Sequence, residues 1–139
     1  KGTPIAKVRS IAGLRRYKLG AQVGTTSYSY IVDRIKPSSN PLVYDTNDAA
    51  VQALKNGQID GIVVDLPTAF YVTAVQVPDG VIVGKLPTFG SKERFGMVFQ
   101  KGNSLRGCVD KALDRLWRNG TIQKLQRVYL ARAGAPDLK

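Results

Sequence analysis

The first half of the chain alternates between short apolar runs, typical of buried strands, and apolar residues at helical spacing. A strand is predicted over 17–23, and Gly24 separates it from a helix that ends before Pro37. Further short runs predict strands at 42–44, 59–64 and 81–83. Three successive strand-to-helix units of this size predict an α/β domain with a mainly parallel sheet flanked by helices.

The pattern changes after residue 93. A strand is predicted over 95–100, and two consecutive helices follow it, separated by Asn119 and Gly120. In the first of these helices, Cys108 and Trp117 lie within a wide apolar stripe and are expected to be core residues. A helix pair with so broad an apolar face needs a covering surface, either the preceding sheet or a part of the protein outside this sequence.

Charge is unevenly distributed along the 139 residues, whose formal net charge is +11. Residues 1–32 hold six basic and no acidic side chains, and 92–139 hold eleven basic and four acidic ones. The central residues 33–91 hold four basic and six acidic side chains. Because aromatic residues are not interleaved with the basic ones, a solvated basic surface is favoured over a base-stacking interface, and no nucleic-acid partner is expected.

The inventory of reactive side chains excludes several classes of site. The chain has no histidine, one glutamate (Glu93) and one cysteine (Cys108). A Ser-His-Asp triad, a His-ligated zinc, a paired-Glu glycosidase site and an intramolecular disulfide are therefore excluded within it. We expect no catalytic residue, no metal and no cofactor.

A glycine and three hydroxyl residues, Gly24, Thr25, Thr26 and Ser27, lie where the first predicted strand turns into a helix. The first N–H groups of a helix and its dipole favour an anion, and hydroxyls add donors. The segment lacks the Gly-Lys-Ser/Thr ending of a P-loop and the three-glycine dinucleotide fingerprint, so a carboxylate fits better than a diphosphate. A plain helix N-cap, which any Thr or Ser supplies, explains the same residues and is favoured on this motif alone.

Asp65 ends the third predicted strand, at the carboxyl edge where open α/β sheets place ligands. A carboxylate there can hold an ammonium group, although Asp before Leu-Pro is also a good helix cap. Gln22 ends the first strand at the same edge and can reach a ligand side chain. An anion cradle and a carboxylate on one edge predict a zwitterionic ligand, hence an α-amino acid.

Four segments resemble the family 3 extracytoplasmic solute-binding proteins, the receptors of polar amino-acid ABC importers. They are KLGAQVGTTS at 18–27, ALKNGQIDGIVVD at 53–65, FGMVFQKG at 95–102 and NGTIQK at 119–124. The resemblance spans nearly the whole chain but covers only the C-terminal half of such a receptor. It implies a two-lobed periplasmic-binding-protein type II fold that closes over a free amino acid. It also implies that Thr26 binds the ligand carboxylate, Asp65 its ammonium group, and Gln22 its side chain.

The same resemblance implies a division of the chain at residue 93. Residues 1–93 would form the second, ligand-binding lobe, and 94–139 a hinge strand and C-terminal helices that pack on the first lobe. Without that lobe, the helices are expected to bury their apolar face, either by refolding onto the second lobe or by forming a homodimer. The implied partners are a free amino acid and the transmembrane subunits of an ABC importer. The implied location is extracytoplasmic, in the periplasm or lipid-anchored at the cell surface.

Other functions remain open at this point. One is an enzyme of the dehydratase type with the same two-lobed fold, which closes on its ligand like a flytrap. Another is a sensor domain linked to a kinase or a lytic transglycosylase. A third, suggested by the net charge, is a basic polyanion-binding module. Acid–base catalysis would rest on Asp or Lys, and no Asp pair has a telling spacing. A receptor that is not an enzyme is therefore the favoured interpretation, while the identity of its amino acid stays open.

Overall fold

The computed structural model describes residues 1–90, 94–130 and 135–139. The chain divides into two units: Lys1–Pro87 with Ala135–Lys139 forms the first, and Thr88–Gly134 forms the second. The predicted division at residue 93 falls on 91–93, outside the described residues.

The first unit is built on a parallel sheet of three strands in the order β2–β1–β3. The strands are β1 (Leu19–Gln22), β2 (Leu42–Tyr44) and β3 (Gly61–Ile62). β1 lies in the middle and pairs in parallel with both neighbours. The predicted α/β class with a parallel sheet is confirmed, although the third strand is much shorter than the apolar run at 59–64.

Helices follow or precede each strand of the first unit. They are α1 (Ile11–Leu14), α2 (Thr26–Tyr30), α3 (Asn47–Lys55) and α4 (Leu66–Tyr71). α2 and α4 continue directly into π-helical turns at Ile31–Ile35 and Val72–Gln76. Each of these four α-helices begins with a side-chain cap, from Ser10, Thr25, Thr46 and Asp65 respectively. Such caps satisfy backbone N–H groups that have no partner within the helix.

The core of the first unit lies between the sheet and the helix that follows β1. Ala21 on β1 is completely buried, as are Ile31 and Ile35 on the π-helical turn after α2. Burying an isoleucine side chain is worth roughly 1.5–3 kcal/mol, so this turn fixes α2 against β1. The N-terminus of α2 is thereby held at the carboxyl end of the central strand.

The last five described residues also belong to the first unit. The Leu138 N–H donates to the Lys85 carbonyl oxygen at 2.9 Å, and the Lys85 N–H donates to that of Pro136 at 2.7 Å. On the other side, the Ile11 N–H donates to the Lys139 carbonyl oxygen at 2.9 Å. Leu138 is 4% exposed and lies in the core cluster. The predicted segment 94–139 groups these residues with the C-terminal helices, whereas they complete the first unit.

The second unit contains the two predicted helices, α5 (Leu105–Arg118) and α6 (Thr121–Tyr129). Gly120 separates them with a φ of 77°, a conformation that glycine adopts at low cost. The Asn119 side chain accepts a hydrogen bond from the Thr121 N–H at 3.0 Å. The predicted break between the helices is therefore confirmed.

Two strand predictions are wrong. Residues 95–100 form no strand, and 81–83 form none either. A strand needs a neighbour to satisfy its backbone groups, and Phe95 and Val98 in the first of these segments are 81% and 100% exposed. Just after residues 81–83, Lys85 forms an isolated parallel β-bridge with Asp137.

The expected burial of the C-terminal apolar stripe is wrong as well. Cys108 is exposed and Trp117 is 51% exposed, and no described residue of α5 or α6 is buried. The helical spacing of the stripe is right, but a two-helix unit has too little surface of its own to cover such a face.

Candidate functional site

The three parallel strands end at one edge of the sheet, and the predicted site residues lie there. Gln22, the last residue of β1, pairs with Tyr44, the last residue of β2. On the other side of β1, the last pair joins Gly20 to Ile62. Gln22 and Asp65 therefore follow this pair by two and three residues along their chains. The structure brings Gln22, the turn into α2 and Asp65 to the same edge.

The turn between β1 and α2 contains free backbone donors beside an open space. Gly24 has a φ of 69°, and no atom lies within 4 Å of the position that a Cβ would occupy there. The Thr25 hydroxyl accepts from the Tyr28 N–H at 3.2 Å and donates to the Gln22 carbonyl oxygen at 2.7 Å. Thr25 is thus the helix cap, and its hydroxyl is occupied. The Thr26 and Ser27 N–H groups precede the intrahelical bonds and remain available to an acceptor.

Thr26 and Ser27 differ from Thr25 in the hydrogen bonding of their hydroxyl groups. Thr26 is exposed and Ser27 is partly buried, and within the described residues neither hydroxyl makes a hydrogen bond. Both residues lie in the first turn of α2, where the helix dipole is positive. The turn therefore holds two N–H groups and two hydroxyls that have no hydrogen-bond partner among the described residues.

Asp65 is the N-cap of α4. Its Oδ1 accepts from the Thr68 N–H at 3.0 Å, and its Oδ2 accepts from the Thr68 hydroxyl at 2.8 Å. Asp65 therefore caps the helix, and each of its two carboxylate oxygens accepts one hydrogen bond from Thr68. A carboxylate has about four acceptor positions, so the exposed Asp65 side chain can accept further hydrogen bonds.

Gln22 is fixed at the edge by an additional contact. Its Nε2 donates to the Asp45 backbone carbonyl oxygen at 3.0 Å, which links the end of β1 to the residue after β2. Sequence reasoning missed Asp45, an exposed acidic residue at this edge. The signal was present, because Asp45 directly follows the run 42–44 and the carboxyl ends of parallel strands share an edge.

Tyr30, the last residue of α2, has a phenol with a raised pKa. Burial raises the pKa of the Tyr30 phenol above its ordinary value, and the nearby Arg34 guanidinium partly opposes the rise. The Tyr30 hydroxyl donates to the Pro87 carbonyl oxygen at 3.0 Å. Tyr30 thus stays a neutral donor at physiological pH and ties α2 to residue 87, outside the site.

Two further properties concern the described residues as a whole. They contain no group of three or more Cys, Asp or Glu side chains placed to hold a metal ion. None of their helices combines the length and the apolar character that crossing a membrane requires.

Comparison with known proteins identifies proteins that are similar to this chain in sequence and in fold. No protein-family model matches the chain. Over 125 residues, 86% of the chain, it is 30% identical to "Putative ABC transporter arginine-binding protein 2" of Escherichia coli (strain K12). An ancestral arginine-binding protein bound to glutamine superposes on 92% of the chain with a TM-score of 0.67 and 30% identity. An ancestral cationic amino-acid solute-binding protein superposes on 89% with a TM-score of 0.54 and 23% identity, which supports the fold alone.

The chain is similar in sequence and structure to amino-acid solute-binding proteins, and its fold is that of a periplasmic-binding-protein type II lobe. The resemblance predicted from the four sequence segments is therefore confirmed. The chain spans about half the length of these relatives, 49% of the E. coli protein and 55% and 52% of the two structures. A match of this extent fits the predicted resemblance to one half of a receptor.

Proposed function

We propose that the chain is the amino-acid-binding lobe of an ABC importer receptor and carries half of the ligand site. The observation that carries the proposal is the edge where β1 and β3 end. Free N–H and hydroxyl donors at Thr26 and Ser27 share this edge with the Asp65 carboxylate. A free α-amino acid is the common metabolite whose two charges complement such a pair.

In this proposal the two charged groups of the amino acid bind to different parts of the site. The ligand carboxylate accepts hydrogen bonds from the turn 24–27, chiefly from the Thr26 and Ser27 N–H groups and the Thr26 hydroxyl. Gly24 leaves room for it, because no atom fills the space where a side chain would lie. The ammonium group donates to Asp65, and Gln22 contacts the ligand side chain. Thr25 shapes the turn as its cap, because its hydroxyl accepts from the Tyr28 N–H and donates to the Gln22 carbonyl oxygen.

The proposal includes the rest of the receptor. Residues 1–93, together with the tail 135–139, act as one lobe, and a second lobe supplies the other half of the ligand contacts. Ligand bridging the two lobes shifts the equilibrium toward the closed form, which the transmembrane subunits of the importer recognise. The receptor works outside the cytoplasm and binds its ligand without chemical change. The names of the relatives, which are binding proteins, support a role in binding rather than catalysis.

The affinity of this chain alone is expected to be weak, because about half of the relatives' length is not in it. NMR titration suits such affinities. We expect millimolar L-glutamine to shift the amide signals of Gly24, Thr26 and Ser27. N-acetyl-L-glutamine, which lacks the ammonium group, and L-glutamine amide, which lacks the carboxylate, should each shift them much less.

The two blocked derivatives separate recognition of a zwitterion from recognition of any small polar molecule. Equal shifts with all three compounds would contradict the proposed roles of Asp65 and the turn. Shifts confined to residues far from 22–27 and 65 would contradict the location of the site.

A further inference from the structure

We infer that the C-terminal tail, residues 135–139, is a detachable segment and that the groove beneath it binds extended peptides of the same chemistry. The groove is formed by residues 9–11 and 84–85, which are distant from the tail in sequence. Its ligand class is a short peptide in which an acidic residue directly precedes a large aliphatic residue. The inference is independent of the proposed function, because the groove and the amino-acid site have no residue in common.

The tail lies in the groove as an added strand does, with its backbone bonded on both sides. The Lys85 backbone donates to the Pro136 carbonyl oxygen at 2.7 Å and accepts from the Leu138 N–H at 2.9 Å. On the other side, the Ile11 N–H donates to the Lys139 carbonyl oxygen at 2.9 Å. Backbone bonds of this kind give affinity for any extended peptide, while side-chain pockets give selectivity.

Leu138 and Asp137 provide the selectivity. Leu138 is 4% exposed and lies in the core cluster, where it takes the space that a side chain at Gly84 would need. It is the main anchor, because its apolar surface is removed from water. The Asp137 Oδ1 lies 3.0 Å from the Lys85 Nζ, and both of these side chains are exposed. An exposed ion pair adds little affinity, so the groove prefers the acidic residue and requires the aliphatic one.

The tail has the features of a segment that opens separately from the sheet. Leu138 is buried, whereas Pro136, Asp137 and Lys139 are exposed. Segments with few buried apolar contacts and exposed hydrogen bonds open at a lower free energy than the core. The central strand β1 differs, because it is paired with a neighbouring strand on each side. We therefore expect the tail to leave the groove while the sheet stays folded.

The groove is tested with the full-length Leu138→Ala variant, whose tail lacks its anchor, and the peptide acetyl-Ala-Pro-Asp-Leu-Lys-amide. In an NMR titration, the peptide should shift the amide signals of Ile11 and Lys85, which donate to the tail. A peptide with alanine in place of leucine should bind about tenfold more weakly or worse. A peptide with asparagine in place of aspartate should stay within about threefold. In Leu105→Ala, the matched control, the chain's own tail fills the groove and neither signal should shift.

Two results of this titration would overturn the peptide site. One is a folded Leu138→Ala variant in which the leucine peptide shifts neither Ile11 nor Lys85. The other is equal binding of the leucine and alanine peptides. Neither result bears on the amino-acid site, because these two amides lie outside it.

Hydrogen exchange of the unmodified chain tests detachment without any substitution, and it decides the matter if Leu138→Ala does not fold. The amides of Ile11, Lys85 and Leu138 should exchange at one common rate, because a single opening of the tail exposes all three. That rate should be about tenfold or more above the rate of Val63, whose N–H donates to the Gly20 carbonyl oxygen within the sheet. Exchange of the three amides no faster than that of Val63 would show that the tail leaves only on global unfolding, and would overturn the inference.

Discussion

Leu138 occupies the space that a side chain at Gly84 would need. A Cβ at Gly84 would lie 2.6 Å from the Leu138 Cγ and 2.9 Å from the Pro136 carbonyl oxygen. The two residues are 54 positions apart in the sequence, and the backbone hydrogen bonds of Lys85 hold them together. The absence of a side chain at Gly84 thus allows residues 135–139 to complete the first unit.

Gly84→Ala is expected to destabilise the first unit. The new methyl group overlaps Leu138 and a backbone carbonyl, and overpacking of this kind costs about 1–3 kcal/mol. Urea denaturation should show a lower midpoint. Gly107→Ala is the matched control, because nothing lies within 4 Å of its Cβ position and alanine favours the helix α5. A Gly84→Ala variant as stable as the original chain would contradict the close packing of the tail.

Leu138→Ala is expected to cost about 2–5 kcal/mol, the range for removing a buried leucine side chain. The released tail should also become more sensitive to carboxypeptidase than the tail of the original chain, in which Leu138 is buried. Leu105→Ala provides the comparison, since Leu105 is 60% exposed and its truncation should change the unfolding free energy very little. Similar losses for the two variants would show that Leu138 is not part of the core.

The exposed stripe of α5 and α6 is expected to drive homodimerisation of this chain. Trp117, Leu125 and Tyr129 are 51%, 47% and 70% exposed, and covering apolar surface is worth about 25 cal/mol per Å². Light scattering at tens of micromolar should report a dimer. Leu125→Glu should give a monomer, and Gln126→Glu, which adds the same charge one residue away, should not. A clean monomer for the unmodified chain would contradict this prediction.

The parts of the fold that the sequence predicts depend on local signals. Gly24, followed by hydroxyl residues and helical apolar spacing, marks the end of β1 and the start of α2. Asp65 before Leu-Pro marks the next strand-to-helix junction at the same edge. Local chemistry is sufficient in both cases, because a cap and the helix it begins are adjacent in the chain.

The parts that the sequence does not predict depend on distant partners. The apolar run 95–100 has strand composition, but no strand among the described residues lies next to it, so its backbone groups have no ladder to join there. The docking of Leu138 beside Gly84 has no local signature either. The position of Asp45 at the carboxyl edge follows from the run 42–44, but its contact with Gln22 appears only when β2 is placed next to β1.

The central claim is that the Asp65 carboxylate and the β1 turn together bind a zwitterionic amino acid. Its most direct test compares the NMR-derived affinity of the original chain for L-glutamine with that of Asp65→Asn. Asparagine caps helices as well as aspartate does, so the variant keeps the bond from the Thr68 N–H, while it loses the charge and the oxygen that accepts from the Thr68 hydroxyl. We predict that affinity falls about tenfold or more, while Asp79→Asn, at an exposed site, leaves it unchanged. Equal affinity of Asp65→Asn and the original chain would contradict the account.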